Sequence, residues 1–350
     1  MMNTFNSTAL LLVLVYILCT ARPIQCTSTR SLRIPLQKKQ LNPIESSSAE
    51  INLRTHKQGQ FLGTIGVGSP AQMFDVLFDT GSSNTWIWSS QCQTHACARK
   101  HRFDSSKSSS FSDSDDGTGS DEVTIRYGSG SISASLGEDE FTVDNIIIHK
   151  QTFGSVFEES GLAFELCDMD GIIGLALPGM SVEKETLLDQ ALKQHTFNAP
   201  MFTFALYAGK FAAHSHITFG VLDESLYTGD LYTSNVYGEN YWEIRALAIK
   251  VNGIEIGNCK IEPCKIAVDT GTSTISGPVQ DIHSLTETLN IDSDCRNYAS
   301  LPNIEFVLES KDTSVGFYTL NLTPQRYAQR NGNLCSPALM GLDVPAPRGP

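Results

Sequence analysis

Phe74-Asp75-Val76-Leu77-Phe78-Asp79-Thr80-Gly81-Ser82-Ser83 decides the fold, because the same design returns as Lys265-Ile266-Ala267-Val268-Asp269-Thr270-Gly271-Thr272-Ser273. Each copy is an apolar run that ends in Asp-Thr-Gly and is trailed by small hydroxyl residues. The run reads as a buried strand, and Asp-Thr-Gly as the tight turn that ends it and carries one carboxylate. Gly81 and Gly271 let the backbone fold back sharply and offer an amide to a neighbouring oxygen. Ser82 and Thr272 carry hydroxyls able to bond those carboxylates and fix their orientation. A single Asp-Thr-Gly is an ordinary turn. Two, each with a strand before and hydroxyls behind, make a purely structural explanation the weaker one.

If two similar lobes set the turns face to face, Asp79 and Asp269 cannot both ionise cheaply, and one proton is shared. The pair is then acid and base in one site. One carboxylate deprotonates a water while the other, still protonated, polarises a peptide carbonyl. The eight histidines show no pairing with a Ser or Cys nucleophile, which disfavours the serine and cysteine protease mechanisms.

Composition sets the outer bounds. A chain of 350 residues with 41% hydrophobic content has enough material for a substantial core. The formal charge of -13 argues against nucleic acid, whose phosphates need a basic surface. It suits a protein that stays soluble in an acidic compartment. Residues 9–19 are an apolar run too short to span a bilayer comfortably, so residues 1–22 read as a signal peptide into the secretory pathway. A retained anchor is the competing reading; no later segment is long and apolar enough to span. Residues 23–50 are basic first and polar afterwards, with Lys38 and Lys39 following Ile34-Pro35-Leu36.

From Phe61 the chain alternates in short runs punctuated by Gly and Pro, which indicates an all-β architecture. Helical spacing is confined to residues 187–195 and about 279–289, while residues 201–207, 217–220 and 241–251 read as strands. Residues 105–122 are Ser- and Asp-rich and read as a solvated loop, lacking the twelfth-position ligand of a calcium-binding helix-loop-helix. Cys92, His95, Cys97 and His101 have the look of a metal knuckle, but an oxidising compartment favours a disulfide. Asn321-Leu322-Thr323 is a glycosylation sequon followed by Pro324, which makes its use doubtful.

The two triplets, Thr124-Ile125-Arg126-Tyr127-Gly128-Ser129-Gly130-Ser131, Asp170-Gly171-Ile172-Ile173-Gly174 and Leu301-Pro302-Asn303-Ile304-Glu305-Phe306 are together similar to the pepsin family of aspartic proteases. The likeness runs from about residue 33 to the last residue and leans toward protozoan plasmepsin-like members. It implies a bilobal, double β-barrel all-β fold with a few short helices. Residues 51–225 would form the N-terminal lobe with Asp79 and the flap, and residues 226–350 the C-terminal lobe with Asp269. Asp79 and Asp269 would be catalytic, supported by Thr80, Gly81, Ser82, Thr270, Gly271 and Thr272. Tyr127, Gly128 and Ser129 would form the substrate-binding flap, and Trp86 would bond the flap tyrosine. The family pattern pairs Cys92 with Cys97, Cys259 with Cys264 and Cys295 with Cys335, leaving Cys167 over, a buried thiol or one half of an intermolecular bridge. Residues 23–50 resemble an inhibitory prosegment in which Lys38 or Lys39 approaches the carboxylates. The expected partners are polypeptide substrates and that prosegment, on a monomer that needs no metal or cofactor. Family members continue well past the counterpart of Met340-Gly341-Leu342-Asp343, with a second hydrophobic-hydrophobic-Gly unit. The second lobe is therefore expected to be incomplete, and a catalytically silent peptide-binding form is the alternative function.

Overall fold

The computed structural model describes residues 10–12, 49–55, 60–113, 122–128, 130–161, 164–165, 167–183, 185–207, 209–257, 259 and 261–343. Strands dominate, and the longer helices are Leu187–Lys193 and Val279–Leu289. Thr186 and Asp189 cap the first of these reciprocally, and Asn290, with φ of 44°, ends the second. The fold is all-β in two halves. Ser129, Lys38, Lys39 and the rest of 23–48 lie outside the described residues.

The N-terminal half forms a nine-stranded sheet. Its centre runs Phe61–Val67, Gln72–Asp79, Gly171–Gly174, Trp86–Trp88, Ile146–Ser160 and Gly130–Val143, with Glu122–Tyr127 hairpinned onto the last. Phe61–Val67 also pairs with Gly130–Val143, through Gly66 with Thr142 and Val67 with Phe141. The sheet thereby curls onto itself and removes edges that would otherwise stay open.

Strand alternation then aims the first carboxylate. Along Gln72–Asp79, Phe74, Val76 and Phe78 enter the larger core with Ile173, Phe202 and Phe219. Leu77 points the other way, into a second core with Trp86, Trp88 and Ile172. Side chains two apart share a face. Asp79 therefore emerges on the Leu77 side, at the strand's end. The strand Gly171–Gly174 runs parallel to it with Gly174 opposite Asp79, and the Leu175 N–H donates to the Asp79 carbonyl at 2.7 Å.

The C-terminal half has a five-stranded sheet in which Glu243–Val251 pairs with Ile254–Ile256, Cys264–Ala267 and Ile304–Glu309. Phe317–Leu322 is its outer strand, with Phe317 and Leu320 exposed. Val251, Ile256, Leu285, Leu289, Ile304 and Tyr327 make its core. Asp269 comes two residues after Cys264–Ala267, whereas Asp79 is the last residue of its own strand. Cys92–Cys97, Cys259–Cys264 and Cys295–Cys335 are disulfides, and Cys167 is buried and in no disulfide.

A third sheet, of four strands, joins Leu10–Leu12, Phe202–Leu206, His216–Phe219 and Ala49–Asn52. Leu10–Leu12 falls within the stretch read as a signal peptide, yet here it lies antiparallel on Phe202–Leu206. An open sheet edge accepts any extended apolar segment within reach, which accounts for the pairing.

Candidate active site

The two Asp-Thr-Gly turns meet. In the first, the Gly81 N–H donates to Asp79 Oδ1 at 2.8 Å and the Ser82 hydroxyl to Oδ2 at 2.5 Å. In the second, the Gly271 N–H donates to Asp269 Oδ1 at 2.7 Å and the Thr272 hydroxyl to Oδ2 at 2.6 Å. Each carboxylate is thus held by one amide and one hydroxyl of its own turn. A Cβ placed on Gly81 would come within 2.6 Å of both Asp269 oxygens, and one on Gly271 within 2.3 Å of Asp79 Oδ1. Glycine is required at both positions by this close approach rather than by backbone angle.

Thr80 and Thr270 lock the turns together behind the carboxylates. The Thr80 hydroxyl donates to the Val268 carbonyl at 2.7 Å, and the Thr270 hydroxyl to the Phe78 carbonyl at 2.6 Å. Each hydroxyl also accepts the opposite backbone N–H, at 2.9 Å for Thr80 and 3.0 Å for Thr270. Thr80→Val keeps the shape but leaves the Val268 carbonyl and the Thr270 N–H without partners. Both groups are partly buried, and with an orphaned buried group costing about 1–3 kcal/mol, a loss of about 1 kcal/mol or more is expected in chemical denaturation. A midpoint equal to the wild type would show that the lock does not hold the halves together.

Asp79 is 6% exposed. Burial first, then the negative charge of Asp269 and a hydrogen bond between the two side chains, push its pKa up to about 7. The Ser82 hydroxyl and Gly81 N–H pull in the opposite direction but do not prevail. Such a pair titrates as one unit. It carries one proton over the range in which a lone aspartic acid has lost its own.

Tyr127 stands at the tip of the hairpin, its phenol oxygen accepting the Trp86 ring N–H at 2.8 Å. Burial, then the Asp79 charge, raise its pKa well above the ordinary phenol value, so the hydroxyl stays protonated. Gly128 follows, exposed. Phe164 packs edge-on against both rings, at 6.0 Å from Trp86 and 5.8 Å from Tyr127. The site opens on a groove of about 2800 Å³ whose walls include Leu77, Ile125, Phe164, Ile172 and, across from them, Ile266.

The metal-knuckle residues take other roles. Cys92 and Cys97 bond each other, and His101 Nδ1 lies 2.8 Å from Asp170 Oδ2. Asp170 also accepts the backbone N–H of Asp75 at 2.9 Å and of His101 at 2.8 Å. That carboxylate pins the middle of the strand that delivers Asp79. Cys167 lines the groove with its thiol donating to Gln60 Oε1 at 3.3 Å, and burial pushes the thiol pKa up. Sequence reading missed Phe164, whose place beside Trp86 comes from a segment far along the chain, and Glu183, a buried acid with no motif around it.

Paired carboxylate turns facing each other across a groove, with a hairpin tyrosine beside them, define a protease-like class of site. The chain matches the family model for eukaryotic aspartyl proteases over residues 60–346. It is 34% identical to cathepsin D of Clupea harengus over 331 residues, 90% of this chain and 80% of the relative. Cathepsin D of Gallus gallus is 34% identical over 314 residues, covering 85% of this chain and 75% of the relative. Renin of Rattus norvegicus is 32% identical over 318 residues, covering 87% and 75%. The chain belongs to the eukaryotic aspartyl protease family, and its class of activity is aspartic endopeptidase acting on polypeptides.

Proposed function

We propose that this chain cleaves internal peptide bonds with a water activated between Asp79 and Asp269. The observation that carries the reading is the mirrored geometry: two carboxyls, each oriented by its own amide and hydroxyl, approach each other so closely that a Cβ on either turn's glycine would strike the opposite carboxylate. In the resting pair one carboxyl is protonated and the other ionised. The ionised one takes a proton from water as the oxygen attacks the peptide carbonyl carbon, and the protonated one gives its proton to the carbonyl oxygen. The tetrahedral diol then collapses. Its C–N bond breaks, the amine leaves with the proton taken from water, and a diol hydroxyl returns a proton to the other carboxylate. Water and peptide are consumed, acid and amine are released, and the pair regains its single proton.

Tyr127, fixed by Trp86, closes the flap hairpin over an extended substrate, and Gly128 and Ser129 contact its backbone. Residues 23–50 act as a removable inhibitory segment, with Lys38 or Lys39 meeting the shared negative charge, and acid weakens that contact by protonating the carboxylates. The lobes divide near residues 225 and 226. The protein travels the secretory pathway and works as a monomer in an acidic compartment. No helix among the described residues is long and apolar enough to cross a membrane.

The test is hydrolysis of a denatured protein by the full chain at about pH 4 to 5, where a shared proton is in place, with and without a pepstatin-type inhibitor. Inhibitor-sensitive cleavage that fades toward neutral pH is expected. Tight inhibitor binding without turnover would overturn the reading in favour of a silent peptide-binding protein.

A further inference from the structure

Glu183 is a buried acid that the chemistry above does not use. It lies between the strand Gly171–Gly174 and the helix Leu187–Lys193, and is 6% exposed. Its Oε1 accepts the Thr85 N–H at 2.7 Å. Its Oε2 has no hydrogen-bond partner, and neither has the buried Thr85 hydroxyl. An unpaired buried carboxylate oxygen is costly, so such a group persists only where it does something for its surroundings.

Its surroundings are the run that supports the first carboxylate. Residues 82–85 are each tied to the loop 176–183. The Ala176 N–H donates to the Ser82 carbonyl at 2.9 Å, and the Ser83 hydroxyl to the Leu177 carbonyl at 2.5 Å. The Val182 N–H donates to Asn84 Oδ1 at 2.8 Å. Glu183 supplies the last tie, at Thr85. At the head of this run the Ser82 hydroxyl orients Asp79, and immediately after it Trp86 holds the flap Tyr127.

We propose that Glu183 is a positioning residue that fixes residues 82–85, and through them both Ser82 on Asp79 and Trp86 on Tyr127. Burial pushes its pKa well above the ordinary glutamate value, with the Thr85 N–H as the counterweight. In its neutral form it has an O–H to give where Oε2 now lies unpaired. Among titratable groups, Tyr127 feels its charge, while the acids that follow it in the chain are engaged elsewhere, Glu185 with Lys193 and Asp189 with Thr186. The assignment rests on the two-carboxylate reading for its catalytic consequence but not for the state of Glu183 itself.

The test compares Glu183→Gln and Glu183→Leu in the full chain. Gln keeps the volume, an oxygen for the Thr85 N–H and a donor in place of the acid proton. Leu removes all polar contact. E183L should lower kcat at least about tenfold with KM within about twofold, as expected when a reacting group is tilted but the groove is intact. E183Q should stay within about twofold of wild type in both, because it repeats the hydrogen bond. Infrared difference spectra of wild type against E183Q at about pH 6, where an ordinary glutamate is ionised, should show the carbonyl band of a protonated buried acid. Wild-type kcat in E183L, or E183Q impaired as badly as E183L, would overturn the positioning role. If E183L does not fold by its thermal melt, E183Q and the infrared band decide. A wild type without proteolysis would instead sink the two-carboxylate reading, and the band would still report on Glu183.

Discussion

Asp79→Asn and Asp269→Asn should each lower kcat on a denatured protein by at least about a thousandfold, since each removes a proton-transfer group from the transition state. Asn keeps the shape of Asp and an oxygen for the Gly81 or Gly271 N–H, so the turn and the Thr80–Thr270 lock should survive. What it cannot do is accept a proton from water or surrender one to a carbonyl. The geometry makes a sharper demand through the double variant. Because one proton serves both carboxyls, removing either disables the whole device, and Asp79→Asn/Asp269→Asn should be no worse than a single variant within about tenfold. Independent contributors would instead multiply. Either single variant keeping more than a tenth of wild-type activity, with binding of a pepstatin-type inhibitor unchanged, would remove that residue from the mechanism.

The parts of this site that were legible in sequence are those whose chemistry is local. Asp-Thr-Gly with a following hydroxyl carries its own donors, and the Gly81 and Ser82 contacts to Asp79 span only two and three residues. The apolar alternation of residues 74–78 foretold a strand and the Gly-rich tip at 128–130 a hairpin. Lateral relations are another matter. That the Thr80 and Thr270 hydroxyls reach each other's backbones across 190 positions depends on how two halves dock, which no local pattern encodes. Glu183 shows the limit most clearly. A glutamate in a polar loop reads as solvated by default, and only tertiary packing of the loop against residues 82–85 makes it a buried acid. The strand at Leu10–Leu12 went unforeseen for a related reason: its partner Phe202–Leu206 is an open edge far along the chain.

The second large effect is on stability rather than rate. Asp79 has a pKa of about 7 in the folded protein against an ordinary value of 3.8, so folding favours its protonated form. The sign follows from linkage: the folded state binds the proton more tightly, so stability falls wherever pH rises between the two values. The contribution is fully present below 3.8 and is lost as pH climbs through about 7. At about 1.4 kcal/mol for each tenfold change in an acid constant, the swing amounts to a few kcal/mol, comparable to a sizeable part of a domain's net stability. Wild type should therefore lose unfolding free energy steadily from acid to neutral pH in urea titrations. Asp79→Asn should flatten that loss, because the substitution deletes the shifted group and relieves Asp269 of a like-charged neighbour. General self-repulsion in a chain of net charge -13 also grows as carboxylates ionise, but it acts on wild type and variant almost equally, so their difference isolates the pair. The remaining slope in Asp79→Asn should shrink further with Glu183→Gln, whose raised pKa acts with the same sign. Parallel curves for wild type and Asp79→Asn would mean that the folded protein does not hold a shared proton between its two turns.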